Sequence, residues 1–215
     1  MDNKGDYEAS LKWHKKCIQI QNETRLINNS SIAYNYNSIA NVYQKQGDYK
    51  QALEYYNKTL NLFKEIFGEN HSDIAMCLNN MACIYASEKR YSEALECHHK
   101  ALIIKKSHLP DDHFDFSATH NNLAIVYDYM SQFDLALEHF NVSLTIKSKS
   151  TFINQLDTAL TLKNIDLIYE MKEDVLQAKS FYKRAAVIRH HILSATHCDV
   201  IQIERDINRI SIKIK

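Results

Sequence analysis

Residues 72–110 read SDIAMCLNNMACIYASEKRYSEALECHHKALIIKKSHLP, and this stretch decides the fold. Apolar side chains recur every three or four residues in its first half, a spacing that puts them on one face of a helix. The polar run at 87–90 interrupts this pattern, and a second apolar stripe follows at 91–105. We therefore predict two amphipathic helices joined by a short turn, with Ser72 or Asp73 as the N-cap of the first.

The same pattern returns every 42 residues along the chain. Tyrosines and leucines mark the period most clearly, at Tyr43, Tyr85, Tyr127 and Tyr169 and at Leu11, Leu53, Leu95 and Leu137. A fixed period of this length is typical of repeat proteins, whose units bury their apolar faces only against neighbouring units. The period favours an all-α solenoid of antiparallel helical hairpins with about ten helices. Such arrays generally offer an extended binding surface rather than a catalytic pocket.

We interpret residues 1–215 as one array. Its predicted parts are a half repeat at 5–20, full repeats at 32–66, 73–106, 115–148 and 156–192, and a C-terminal capping helix at 199–213. The helix at 5–20 lacks a first helix of its own, so part of its apolar surface is expected to be exposed. Either the chain is the tail of a longer protein or it pairs there with another copy.

Charge and composition argue against several classes of function. Lys plus Arg equals Asp plus Glu at 26 each, so no net field favours nucleic acid or an anionic membrane. No apolar run approaches the length of a bilayer span, and the N-terminal stretch lacks a signal-peptide core. Five cysteines without a CxxC pair indicate free thiols. We expect a soluble cytoplasmic protein with no nucleic-acid partner and no membrane insertion.

The sequence contains no motif typical of an enzyme. GxxxxGK[ST], HExxH, GxSxG and GxGxxG are all missing, and three glycines cannot form a glycine-rich phosphate loop. Most of the histidines that suggest a metal site follow the repeat instead: His71, His113 and His197 are equivalent loop positions, and His14 and His98 occupy an aromatic packing position. We expect no catalysis, no cofactor and no metal site.

Small residues recur where the two helices of a hairpin should cross closely. They are Ala40, Ala82 and Ala124 on first helices and Ala52, Ala94, Ala136 and Ala178 on second helices. Asp166 takes the alanine position in the fourth hairpin, where a carboxylate is costly unless it reaches water or a partner. We therefore expect that hairpin to be looser. Gly47 suits a left-handed helix cap, and the replacement of this glycine in later repeats indicates that the cap is not essential to every unit.

The chain resembles the tetratricopeptide repeat, in the longer variety found in kinesin light chains. The resemblance rests on Gly-Asp-Tyr at 47–49, Leu-Asn-Asn-Met-Ala at 78–82, Asn-Asn-Leu-Ala at 121–124 and the linker Ile-Phe-Gly-Glu-Asn-His-Ser-Asp at 66–73. It implies a right-handed superhelix of hairpins. It also implies that the first helices line a concave groove, which holds a peptide segment of a partner.

Carried over by position, the resemblance implies a set of groove residues. They are Tyr34, Asn37, Asn41, Lys45, Asn79, Asn121, Asp128, Lys163, Glu170, Arg205 and Arg209, with Leu160, Leu167 and Met171 beside them. Asn37, Asn79 and Asn121 form a ladder at the 42-residue period, and an amide can hold a peptide backbone through both donors and an acceptor. Alternatively the ladder consists of ordinary solvated positions inherited by duplication. Basic residues near the last two repeats suggest that the partner carries acidic residues at that end.

Three functions remain open from the sequence. The leading hypothesis is a non-enzymatic scaffold that binds a peptide segment of a partner protein. The second is an accessory repeat region of a larger enzyme or motor-adaptor polypeptide. The third is a self-assembling structural module that forms a homodimer through the N-terminal helix.

Overall fold

The computed structural model describes residues 4–23, 28–111, 113–149 and 155–213, and these residues form ten helices and no strand. The helices are α1 Lys4–Glu23, α2 Asn29–Gln46, α3 Tyr49–Phe67, α4 Ser72–Ser87, α5 Tyr91–Lys106, α6 Asp115–Tyr129, α7 Phe133–Lys149, α8 Gln155–Met171, α9 Val175–Ile192 and α10 Cys198–Lys213. The predicted all-α fold is confirmed, and the helix bounds lie close to those read from the apolar pattern. None of the helices in the described residues is long and apolar enough to cross a membrane.

The helices divide into two compact units, Met1–Pro110 and Asp111–Lys215. In the first unit, α2 pairs with α3 and α4 pairs with α5, while α1 packs on α2 and α3 packs on α4. In the second unit, α6 pairs with α7 and α8 pairs with α9, while α7 packs on α8 and α10 covers α9. Each unit therefore contains two complete antiparallel hairpins and one additional helix.

The recurrent alanines of the hairpins are buried. All seven of these alanines are fully buried: Ala40, Ala52, Ala82, Ala94, Ala124, Ala136 and Ala178. Asp166 occupies the same column as Ala124 and is also 0% exposed. The α8–α9 hairpin therefore does not open to give this carboxylate water, contrary to the looser packing expected from the sequence.

The turn between the helices of a hairpin has one backbone conformation in all four hairpins. Gly47 has φ 79°, and the three residues one, two and three periods later, Lys89, Ser131 and Glu173, have φ 61°, 59° and 60°. At each turn the amide of this residue donates to the carbonyl three residues earlier, and the next amide donates to a carbonyl five residues earlier, at 2.8–3.0 Å. The left-handed cap is thus kept in every hairpin, and only its glycine is replaced.

Glycine at these three replaced positions should stabilise the protein. The left-handed conformation costs an L-residue energy that glycine avoids, and the side chains of Lys89, Ser131 and Glu173 are exposed. We expect the triple variant Lys89→Gly/Ser131→Gly/Glu173→Gly to raise the free energy of unfolding by about 2 kcal/mol in urea denaturation. Gly47→Ala, the opposite change at the same turn, should lower it. A triple variant less stable than the wild type would contradict the shared cap.

Histidine, not serine or aspartate, caps α4, so the predicted cap is wrong. The Nδ1 atom of His71 accepts a hydrogen bond from the amide of Asp73 at 3.3 Å. His113 does the same for the amide of Asp115 at 3.3 Å. The imidazole Nδ1 atom serves here as the acceptor that a serine or aspartate oxygen usually supplies.

Candidate peptide-binding face

The first helices carry the predicted site residues, and α2 and α4 place five of them in the first unit. Tyr34 and Lys45 are exposed, while Asn41 and Asn79 are half-buried. The Tyr34 hydroxyl donates to Asp73 on α4, and this hydrogen bond raises the pKa of Tyr34. Neighbouring first helices are therefore joined at their surface in this unit.

The asparagine ladder does not present three equivalent amides. Asn37 is only 9% exposed, and its Oδ1 has no hydrogen-bond partner among the described residues. The Asn79 Oδ1 lies 2.8 Å from His98 Nδ1, and the Asn121 Oδ1 accepts from the Thr161 hydroxyl at 2.9 Å. Two of the three carbonyl oxygens are thus engaged inside the protein.

Buried ring side chains lie against several of the predicted site residues. The Tyr56 hydroxyl lies 2.5 Å from Asn41 Oδ1 and 2.8 Å from Gln44 Oε1. Burial raises the pKa of Tyr56, so the phenol stays a neutral donor. His98 stands one period later, and burial lowers its pKa to about 4, which keeps the imidazole neutral at physiological pH.

An ion-pair network joins α8 and α10 in the second unit. Arg209 binds Glu170 through both of its terminal nitrogens, with Nη1 to Oε2 at 2.6 Å and Nη2 to Oε1 at 2.7 Å. Lys213 Nζ lies 3.8 Å from Glu170 Oε2, and the Tyr182 hydroxyl donates to Oε1 at 2.7 Å. The Arg209 hydrogen bond is the main reason that the pKa of Glu170 is lowered. The structure therefore brings two predicted site residues, Glu170 and Arg209, into direct contact.

Four other predicted residues lie in this unit, and three of them, unlike Asn121, form no ion pair or side-chain hydrogen bond with a described residue. Lys163 is partly exposed and Arg205 is exposed, and neither forms an ion pair with a described residue. Asp128 is half-buried and forms no side-chain hydrogen bond or ion pair with any residue that the structure describes. Burial alone raises the pKa of Asp128.

The second unit contains a buried lysine, Lys147, which was not among the predicted site residues. Lys147 on α7 is 9% exposed, and its Nζ donates to the Thr161 hydroxyl at 2.7 Å and to the Asp157 carbonyl at 3.2 Å. Burial lowers the pKa of Lys147. The lysine anchors the first turns of α8 to the preceding hairpin. Its position in the repeat belongs to an apolar stripe, and this is the one sequence feature that could have predicted its burial.

Among the described residues, His197, Cys198 and Asp199 place possible metal ligands within 4.8 Å of one another. The Nδ1 atom of His197, however, accepts from the amide of Asp199 at 3.2 Å. This is the capping contact already seen at His71 and His113. The trio is accounted for by the start of α10.

Comparison with known proteins identifies the hairpins. A sequence profile described as tetratricopeptide repeat matches residues 29–107 and 88–149. The chain belongs to the tetratricopeptide repeat family. No curated protein sequence matches this chain.

Solved structures of tetratricopeptide-like proteins share the fold. BtubC (BKLC) from P. vanneervenii superposes with a TM-score of 0.75 and 18% identity over 96% of this chain and 80% of that protein. A putative kinesin light chain of Podosopora anserina with nearly identical repeats gives 0.72 and 17% over 86% and 87%. The apo form of RapI gives 0.73 and 19% over 88% of this chain and 51% of that protein. Tetratricopeptide repeats are generally protein-interaction scaffolds, and the similarity in fold extends to kinesin-light-chain-like repeats.

Proposed function

We propose that this tetratricopeptide protein is a non-enzymatic cytoplasmic scaffold that holds a peptide segment of a partner on its first helices. The main support is an exposed apolar stripe on α8. Leu160, Leu167 and Met171 recur at intervals that put them on one helix face, and all three are exposed. Core packing does not use these side chains, and exposed apolar side chains grouped on one face mark an interaction surface.

A basic row on α10 supports an acidic partner. Gln202, Arg205, Arg209 and Lys213 share one face of this helix, and all four are exposed. Glu170 engages Arg209, whereas Arg205 is free of ion pairs within the described residues. Acidic side chains of a bound segment would find complementary charge at Arg205 and Lys163.

The charge hypothesis is tested by reversing those two residues. We expect Lys163→Glu/Arg205→Glu to weaken binding of the true partner by at least about tenfold, because each reversal replaces an attraction with a repulsion. Affinity capture from the native cell, followed by mass spectrometry and titration of the captured protein, measures this. Lys149→Glu/Lys183→Glu makes the same charge change on exposed sites of α7 and α9 and should leave capture intact. Equal affinity of both variants would refute the acidic-partner proposal.

The asparagine ladder is tested separately. Asn37→Ala/Asn79→Ala/Asn121→Ala should lose the partner if the amides contact the bound backbone. Because Asn79 and Asn121 already bond within the protein, circular dichroism and thermal melting of the variant must accompany capture. Retained capture with unchanged folding would leave the ladder as a product of duplication.

Self-association through α1 is the second candidate function. Trp13 on this helix is 62% exposed, and Ile20 is also exposed. A large exposed aromatic side chain is a common interface anchor. Sedimentation equilibrium of the wild type and of Trp13→Glu tests the idea, since a mass that does not rise with concentration would eliminate the homodimer.

A further inference from the structure

Glu170 and Asp128 occupy the same place in successive repeats, one period of 42 residues apart. The Glu170 carboxylate accepts hydrogen bonds from Arg209 and Tyr182 and forms a looser ion pair with Lys213 at 3.8 Å. Asp128 has no such partner within the described residues. The chain thus contains a satisfied and an unsatisfied version of one acidic site.

The difference comes from three coordinated replacements. The residues one period before Arg209, Lys213 and Tyr182 are all apolar: Leu167, Met171 and Phe140, in the same order. Phe140 is fully buried, whereas Leu167 and Met171 are 42% and 63% exposed. Each of the three polar side chains around Glu170 therefore has a hydrocarbon or thioether side chain at the equivalent position one period earlier.

By the 42-residue period Leu167 corresponds to Arg209 and Asp128 corresponds to Glu170, so we expect Leu167 to lie beside Asp128 as Arg209 lies beside Glu170. Both pairs are 39 residues apart and join one first helix to the next. The Thr161 hydroxyl, which donates to Asn121 at 2.9 Å, shows that α8 lies directly against α6. The repeat and the α6–α8 hydrogen bond together imply that the Asp128 carboxylate faces two exposed apolar side chains of α8, Leu167 and Met171.

A positive charge beside Asp128 would stabilise its carboxylate. It lies in the last turn of α6, where the helix dipole places partial negative charge, and that turn contains no basic residue. Half-burial removes part of the water that would otherwise solvate the carboxylate, and it raises the pKa of Asp128. A cation from outside would relieve both costs.

We propose that Asp128, Leu167 and Met171 form a subsite for a lysine or arginine side chain of the bound peptide. The ammonium or guanidinium group donates to the Asp128 carboxylate, as Arg209 does to Glu170. The aliphatic stem lies along Leu167 and Met171, since long basic side chains commonly cover apolar surface. The subsite rests on the proposed function, and it adds a basic residue to a segment whose acidic residues face α10.

Methyl NMR of the methionines tests the subsite without the natural partner. The probes are acetyl-Ala-Arg-Ala-amide and acetyl-Ala-Lys-Ala-amide, with acetyl-Ala-norleucine-Ala-amide as the uncharged analogue. We expect the basic peptides to shift the Met171 methyl signal in a saturable way and the norleucine peptide to do so at least roughly tenfold more weakly. Met76, an exposed methionine of the first unit, should not respond.

Two variants distinguish binding at the subsite from nonspecific binding of the peptides. Asp128→Asn removes the charge, and Leu167→Arg supplies the internal donor that Glu170 already has while keeping Asp128. Both should abolish the saturable shift. Val187→Arg adds the same charge at an exposed apolar position of α9, outside the stripe on α8, and should retain most of the shift.

Several results would overturn the subsite. These are a silent Met171 with the wild type, equal shifts from the norleucine peptide, or a full response in Asp128→Asn. None of them concerns the proposed function, which partner capture tests. Capture lost in Lys163→Glu/Arg205→Glu but unchanged in Asp128→Asn would leave the scaffold standing without the subsite. A response of Met171 with no captured partner would do the reverse.

Discussion

Replacing Asp166 with alanine is expected to raise the free energy of unfolding by about 5 kcal/mol at pH 8. Asp166 is 0% exposed, and neither of its carboxylate oxygens has a hydrogen-bond partner among the described residues. Burial, with the nearby charge of Glu170, raises the pKa of Asp166 from 3.8 to about 8. The three preceding repeats place a buried alanine at this position, so the smaller side chain fits the hairpin.

The gain should depend on pH in a definite direction. Between about pH 4 and pH 8 the unfolded chain has Asp166 ionised while the folded protein keeps it protonated, so folding takes up a proton. Wild-type stability therefore falls by about 1.4 kcal/mol for each pH unit across this window because of Asp166, and it levels off above it. The alanine variant lacks this decline, so the difference between the two proteins grows from pH 4 to pH 8.

Urea denaturation at several pH values measures both effects. Asp166→Asn should also remove the pH dependence, because the amide does not ionise, while it gains less stability because its polar atoms stay buried. Glu138→Ala, at an exposed acidic position of α7, should change stability little. A parallel pH profile for the wild type and Asp166→Ala would show that the carboxyl group is not buried as described.

Thr161→Val is expected to lower the free energy of unfolding by about 3 kcal/mol. Valine has nearly the shape of threonine, but it cannot accept the hydrogen bond that Lys147 Nζ donates at 2.7 Å. The buried ammonium group keeps only the Asp157 carbonyl. The variant also removes the donor to Asn121.

A double-mutant cycle separates the interaction between Lys147 and Thr161 from the other effects of the Thr161→Val substitution. Lys147→Met replaces the charged side chain with an apolar one of similar length, so Lys147→Met/Thr161→Val should recover most of the loss. We expect a coupling energy of about 2 kcal/mol between the two positions from urea denaturation. Additive single effects would mean that the buried hydrogen bond contributes nothing to stability.

Apolar periodicity was enough to predict all ten helices because each helix buries one face. The apolar residues of that face recur every three or four positions in the sequence. Contacts that cross between helices were not predictable in this way. The period identified Asp166 as an exception but could not show that the hairpin stays closed around it. The burial of Lys147 was not predictable because its long side chain bonds to residues of the next hairpin. The cap at His71 was not predictable because imidazole seldom caps a helix.

The candidate face was predicted as a set of positions, and its internal bonding was not. Asn37, Asn79 and Asn121 share a register in sequence, yet one is buried and two bond to neighbours that lie 19 and 40 residues away. The difference in polar partners between Asp128 and Glu170 depends on contacts between helices, which the sequence does not give. The apolar counterparts of the residues around Glu170 follow directly from the period.

The left-handed turn shared by the four hairpins has an evolutionary consequence. Its geometry is held by backbone amides and carbonyls, which every residue except proline possesses, so the turn can survive the loss of its glycine. Glycine remains at one of the four turns, beside lysine, serine and glutamate at the others. Distant relatives with no glycine at all could therefore retain the same succession of hairpins, and a glycine-based signature would undercount the repeats of this lineage.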